Sequence, residues 1–78
     1  MPRYKSHKEV TAVKITSIEK LQDGSAIISA DEQENFIVSS KYVNKHDPHV
    51  GGYWVKYNDG YESFSPAEAF ESGYTRID

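Results

Sequence analysis

Residues Val10 to Ile18 mix β-branched residues with polar and charged ones, with Val13 and Ile15 on one face and Lys14 and Thr16 on the other, which predicts a strand. Ile18 is out of phase with that pair, so the strand either ends near Ser17 or carries a bulge. Gln22-Asp23-Gly24-Ser25 predicts a tight turn, and Ala26 to Ala30 a returning strand. The run from Asp31 to Asn35 has nothing apolar to bury and reads as an exposed loop tip. Phe36-Ile37-Val38 is a short third strand. Ser39 or Ser40 then caps a helix through His46, with Tyr42 and Val43 facing inward and Asp47-Pro48 ending it.

The second half is patterned more strongly. Tyr53 to Tyr57 and Tyr61 to Phe64 are aromatic-rich strands around Asn58-Asp59-Gly60. A two-residue type I′ turn at Asp59-Gly60 pairs Tyr57 with Glu62 and Val55 with Phe64. Under that register Val55 and Phe64 share a face with Tyr53 and Tyr57, while Trp54, Lys56 and Tyr61 take the other. Ser65-Pro66-Ala67-Glu68 has the spacing of a capping box with proline at the first helical position, and Gly73 stands where a left-handed cap ends a helix. Ala67 and Phe70 form that helix's buried stripe, and Tyr74 to Ile77 closes as a strand. The order β-β-β-α-β-β-α-β predicts an α+β domain with a mainly antiparallel sheet and two short helices. Its expected core is Val13, Ile15, Ile27, Phe36, Val43, Val55, Phe64 and Phe70.

With 78 residues, one domain spanning 1–78 is expected, residues 1–8 being a flexible basic tail. No cysteine is present, which excludes disulfides and thiolate chemistry and suits a host-cell cytoplasm. No apolar run is long enough to cross a membrane as a helix. The net charge of −3 weighs against phosphate-backbone binding. Charge is nevertheless uneven. Arg3, Lys5, Lys8, Lys14 and Lys20 crowd the start and Asp59, Glu62, Glu68, Glu71 and Asp78 the end, so the two ends are expected to attract each other.

Little in the chain suggests catalysis or a cofactor. His46-Asp47-Pro48-His49 groups three possible zinc ligands within four residues, but reads as a helix end and a solvated loop. Of the carboxylates that could serve as acid and base, Glu62, Glu68 and Glu71, Glu68 is taken up by the capping box and Glu62 lies beside a turn, and no serine sits in a glycine elbow. The aromatic cluster is the stronger signal. Tyr53, Trp54, Tyr57 and Tyr61 fall within nine residues, more than one sheet face buries. Trp54, Lys56 and Tyr61 are therefore the expected partner-binding residues, with Trp54 partly exposed.

Tyr4-Lys5 leading into Val10-Thr11-Ala12-Val13-Lys14, and later Gly52-Tyr53-Trp54-Val55, Gly60, Phe64, Phe70 and Tyr74 to Ile77, resemble a group of small uncharacterised proteins of tailed phages and prophages. The resemblance covers both ends of the chain and implies a phage accessory role. The function expected is non-enzymatic binding of a host or phage protein, or of a second copy of the chain. The succession of strand, Asp-Gly turn, strand, helix and aromatic strand also resembles phage proteins that sequester signalling nucleotides. A small-ligand, nucleotide-trapping role is the alternative, with single-stranded nucleic acid, stacked on Trp54 or Tyr61, a third.

Overall fold

The computed structural model describes residues 3–5, 9–73 and 75–76. Among these residues seven strands and two helices follow one another as β1 (Arg3–Lys5), β2 (Glu9–Lys20), β3 (Ala26–Ala30), β4 (Phe36–Val38), α1 (Ser40–His46), β5 (Tyr53–Tyr57), β6 (Glu62–Ser65), α2 (Ala67–Gly73) and β7 (Thr75–Arg76). The α+β class is as expected, and every strand pairing is antiparallel. One strand was not expected. Arg3–Lys5, within the stretch read as a flexible tail, pairs with both β2 and β7. Of the closing strand, Tyr74 and Ile77 lie outside the described residues.

The long β2 is the spine. Its first half pairs with β5 and its second half with β3, and the register slips between Ile15 and Ser17. That bulge resolves the phase problem at Ile18. With Thr16 as the extra residue, Val13, Ile15 and Ile18 all reach the same core, and the Thr16 hydroxyl donates to the Ser29 carbonyl at 3.1 Å.

Five strands in the order β4-β3-β2-β5-β6 form a sheet that curls on itself. β4 and β5 are separated by two strands, yet the Phe36 and Trp54 rings meet edge to face at 4.8 Å. A flat sheet holds next-but-two strands roughly 14 Å apart, so only strong curvature allows this contact. No hydrogen-bonded pairing joins β4 to β6 among the described residues, leaving an open seam occupied by α1. The arrangement is that of a small, partly open barrel.

Curling gives the sheet two cores. Inside lie Val13, Ile15, Ala26, Ile28, Val38, Tyr42, Val43 and Trp54; outside, Val10, Ala12, Tyr53, Val55 and Phe70 pack under α2. The expected core residues Val13, Ile15, Val43, Val55 and Phe70 are buried, while Phe36 and Phe64 are partly buried against the inner core. Ile27 is a correction, since its neighbour Ile28 is the buried one. Two adjacent isoleucines leave the alternation undecided from sequence.

Both helices form where expected, with different caps. Ser39 caps α1, its Oγ accepting from the Tyr42 N–H at 3.1 Å, and Asp47 ends the helix in the left-handed region. In α2 the Pro66 carbonyl accepts the first helical bond, from Phe70, so proline stands one position earlier than predicted. Ser65 belongs to β6 and its hydroxyl donates to the Pro66 carbonyl, so the capping box is replaced. Gly73 is the last helical residue rather than a left-handed cap.

The attraction between the chain's ends has a physical form. Glu71 of α2 accepts from the Tyr53 hydroxyl at 2.8 Å and pairs with Lys14 at 3.2 Å, fastening α2 to β5 and β2. The Tyr53 and Phe70 rings stack beside it at 4.2 Å.

Two predictions follow from this packing. A Cβ at Gly52 would collide with the Phe64 ring and stand 3.0 Å from the Ser65 carbonyl, so Gly52→Ala should cost about 1–3 kcal/mol, read from urea unfolding. The second concerns acid. The Glu71 carboxyl is held below its ordinary value, first by the Tyr53 hydroxyl and then by Lys14. A carboxyl depressed in the folded state contributes stability above its ordinary value and loses it as pH falls through the folded one. Tyr53→Phe should therefore flatten the fall in melting temperature between about pH 5 and about pH 3.

Candidate functional site

The β5–β6 hairpin decides which aromatic side chains reach the surface. Tyr57 N–H donates to the Tyr61 carbonyl at 2.9 Å, and Gly60 N–H to the Tyr57 carbonyl at 2.9 Å. Gly60 has φ +91° while Asp59 stays out of the positive region, so the loop is a three-residue type I turn with a glycine bulge. Asp59 Oδ1 favours this form by accepting from the Tyr61 N–H at 2.9 Å. The Leu21–Ser25 turn repeats it: Asp23 Oδ1 accepts from Ser25 N–H and Gly24 has φ +91°.

One extra loop residue shifts the register. Trp54 pairs with Phe64, Val55 with Ser63 and Lys56 with Glu62, correcting the two-residue turn and the shared face of Val55 and Phe64. Trp54 then turns into the inner core, where it is 5 % exposed and its indole N–H donates to Glu62 Oε1 at 3.1 Å. The expectation of a partly exposed Trp54 is overturned, and with it Trp54 as a surface anchor. Lys56 is exposed on β5, and Tyr61 is 45 % exposed beside α1. The three residues do not form one patch.

What Tyr61 joins instead is a groove along the open seam, about 570 Å³ in volume, lined by Ile37, Ser39, Lys41, Tyr42, Lys45, His46, Tyr61 and Glu62. β4 supplies one wall through Ile37, which is 66 % exposed, and the start of β6 supplies the other. The Tyr61 ring holds Lys45 Nζ at 5.1 Å from its centroid and meets the His46 ring at 6.0 Å. Tyr42 forms the floor, its hydroxyl donating to the Ser63 carbonyl at 2.6 Å and so tying α1 to β6. Burial raises the Tyr42 phenol above its ordinary value, with Glu62 adding to the effect, which keeps it a neutral donor. His46 is pushed below its ordinary value by burial and then by Lys45, so the groove's positive charge at neutral pH comes from the two lysines.

The groove has apolar walls and cationic rims, the composition that recognition surfaces use. Among the described residues no three histidine, aspartate or glutamate side chains stand close enough to hold a metal. His46 and His49 part company, His46 on Tyr42 and His49 on the Phe64 ring at 4.9 Å. Glu62 and Glu71 are engaged by Trp54 and by Tyr53 with Lys14, on different cores. No helix among the described residues is long and apolar enough to cross a membrane. Sequence reasoning picked out Tyr61 but missed Ile37, Lys41 and Lys45. The lysines' i, i+4 spacing on a capped helix was the available signal.

Comparison with known structures agrees with the phage resemblance. The chain is similar to the phage L decoration protein. Against the solution NMR structure of that protein's monomeric form the TM-score is 0.74, with 32% identity over 95% of this chain and 57% of that one. The chain thus spans little more than half the length of the decoration protein it matches. No protein-family model matches the sequence, and no curated protein matches it significantly.

The inner position of Trp54 generates a further prediction. Trp54→Ala empties the centre of the barrel and leaves Glu62 without its donor, and should cost about 3–5 kcal/mol in chemical denaturation. Tyr61→Ala, at the surface, should stay within about 0.5 kcal/mol of the parent.

Proposed function

We propose that this protein is a non-enzymatic capsid-binding module of a tailed phage, working as a decoration protein on the outside of the assembled head. The observation that carries this reading is the similarity to the phage L decoration protein at 32% identity across 95% of the chain, with the fold kept. The anatomy supports it. The polar side chains that chemistry would need are engaged in packing and hydrogen bonds, whereas a groove with exposed tyrosine, isoleucine and two lysines is open at the surface. On this reading the partner is a phage coat protein, which refines the expected host or phage protein. The working location is the virion surface rather than the host cytoplasm.

Cosedimentation tests it. Purified protein mixed with tailed-phage capsids lacking their own decoration protein, those of phage L among them, should pellet with the particles up to a fixed number of copies per particle. Protein that stays in the supernatant across the whole panel would refute the reading.

A further inference from the structure

Resting on that reading, we infer that the seam groove is the docking site for an extended, acidic segment of the capsid protein, with Lys41 and Lys45 pairing its carboxylates and Ile37 and Tyr61 taking an apolar side chain between them.

Charge complementarity argues for an acidic occupant. The chain is net negative, yet Lys41 and Lys45 stand one helical turn apart along the groove, and neither has a carboxylate partner among the described residues. Lys14 shows the contrast, since it is already committed to Glu71. Glu62, the acid within the groove, accepts from the Trp54 indole. Two lysines against the one carboxylate of Glu62 leave the groove with a net positive charge on an acidic protein, which favours a negative partner.

Geometry argues for an extended segment. Side chains at i and i+4 of a helix lie roughly 5–6 Å apart, and those at i and i+2 of a strand roughly 6.6 Å apart on one face. Alternate carboxylates of an extended peptide therefore reach both lysines at once. One wall is the edge strand β4, which pairs only with β3 among the described residues and presents Ile37 outward. Isoleucine exposed by two thirds beside a half-exposed tyrosine is apolar surface that a partner's side chain would remove from water. Lys45 over the Tyr61 ring orders both groups before binding, which lowers the entropy lost on docking.

The test compares Lys41→Gln combined with Lys45→Gln against Lys20→Glu, an exposed site on β2 that is not part of the groove lining and changes net charge equally. Circular dichroism and melting should show all three proteins folded. In capsid cosedimentation the groove variant should bind at least tenfold more weakly and with a shallower salt dependence, and the Lys20 variant within twofold of the parent. Equal binding by the groove variant and the parent overturns the groove while leaving capsid binding intact. If the parent pellets with no capsid, the proposed function fails and a titration decides the groove by itself. A synthetic peptide with glutamates at alternate positions around one leucine is followed by amide chemical shifts, against the same peptide with lysines. Shifts at Lys41, Lys45 and Tyr61 with the glutamate peptide alone support the site. No shift there, or shifts there with a single-stranded thymidine oligomer instead, overturn it.

Discussion

Everything in this fold is arranged around the indole of Trp54. A sheet encloses a single large ring only by curling, and the meeting of Phe36 on β4 with Trp54 on β5 measures how far it has curled. β2 supplies Val13 and Ile15 beneath the ring, β3 supplies Ile28, α1 closes the seam with Tyr42 and Val43, and β6 brings Phe64 and the carboxylate that takes the indole proton donor. In so short a chain Trp54 is the largest side chain of the inner core. The stability of that core depends on how completely this one ring is removed from water.

The curvature also explains why aromatic residues crowd both faces of one hairpin. Inward-facing Trp54 and Phe64 fill the barrel, while outward-facing Tyr53 and Val55 need a second cover, which α2 provides through Phe70. The Glu71 carboxylate, between Tyr53 and Lys14, locks that cover to two strands. Each helix thus serves a different side of the sheet. α1 plugs the gap that curling leaves, and the groove runs along it.

Much of this was legible in the chain. Local chemistry placed both helices to within a residue, both Asp-Gly turns and the Ala67–Phe70 stripe, because each depends on neighbours in sequence, whereas at Ser17 it left a strand end and a bulge both open. What failed depends on parity or on distant partners. Asp-Gly serves two-residue and three-residue hairpin loops equally well, and the difference decides whether Trp54 points in or out. Arg3–Lys5 reads as a tail because one of its two partners, β7, lies at the opposite end of the chain. At the candidate site Tyr61 was legible as an exposed aromatic. Ile37 was not, because an apolar strand residue reads as core until the open edge of the sheet is known.

The two Asp-Gly turns bear on how the protein ages. In a flexible chain the amide nitrogen of glycine attacks the preceding aspartate carboxyl, closing a succinimide ring that reopens largely as isoaspartate. Here neither reactant is free. Gly24 N–H is bound to the Leu21 carbonyl at 3.1 Å and Gly60 N–H to the Tyr57 carbonyl at 2.9 Å. The carboxylates of Asp23 and Asp59 are held on the amides one residue beyond the glycine. Chemical lifetime is thereby coupled to hairpin closure: covalent damage accrues only during the fraction of time that a turn is open.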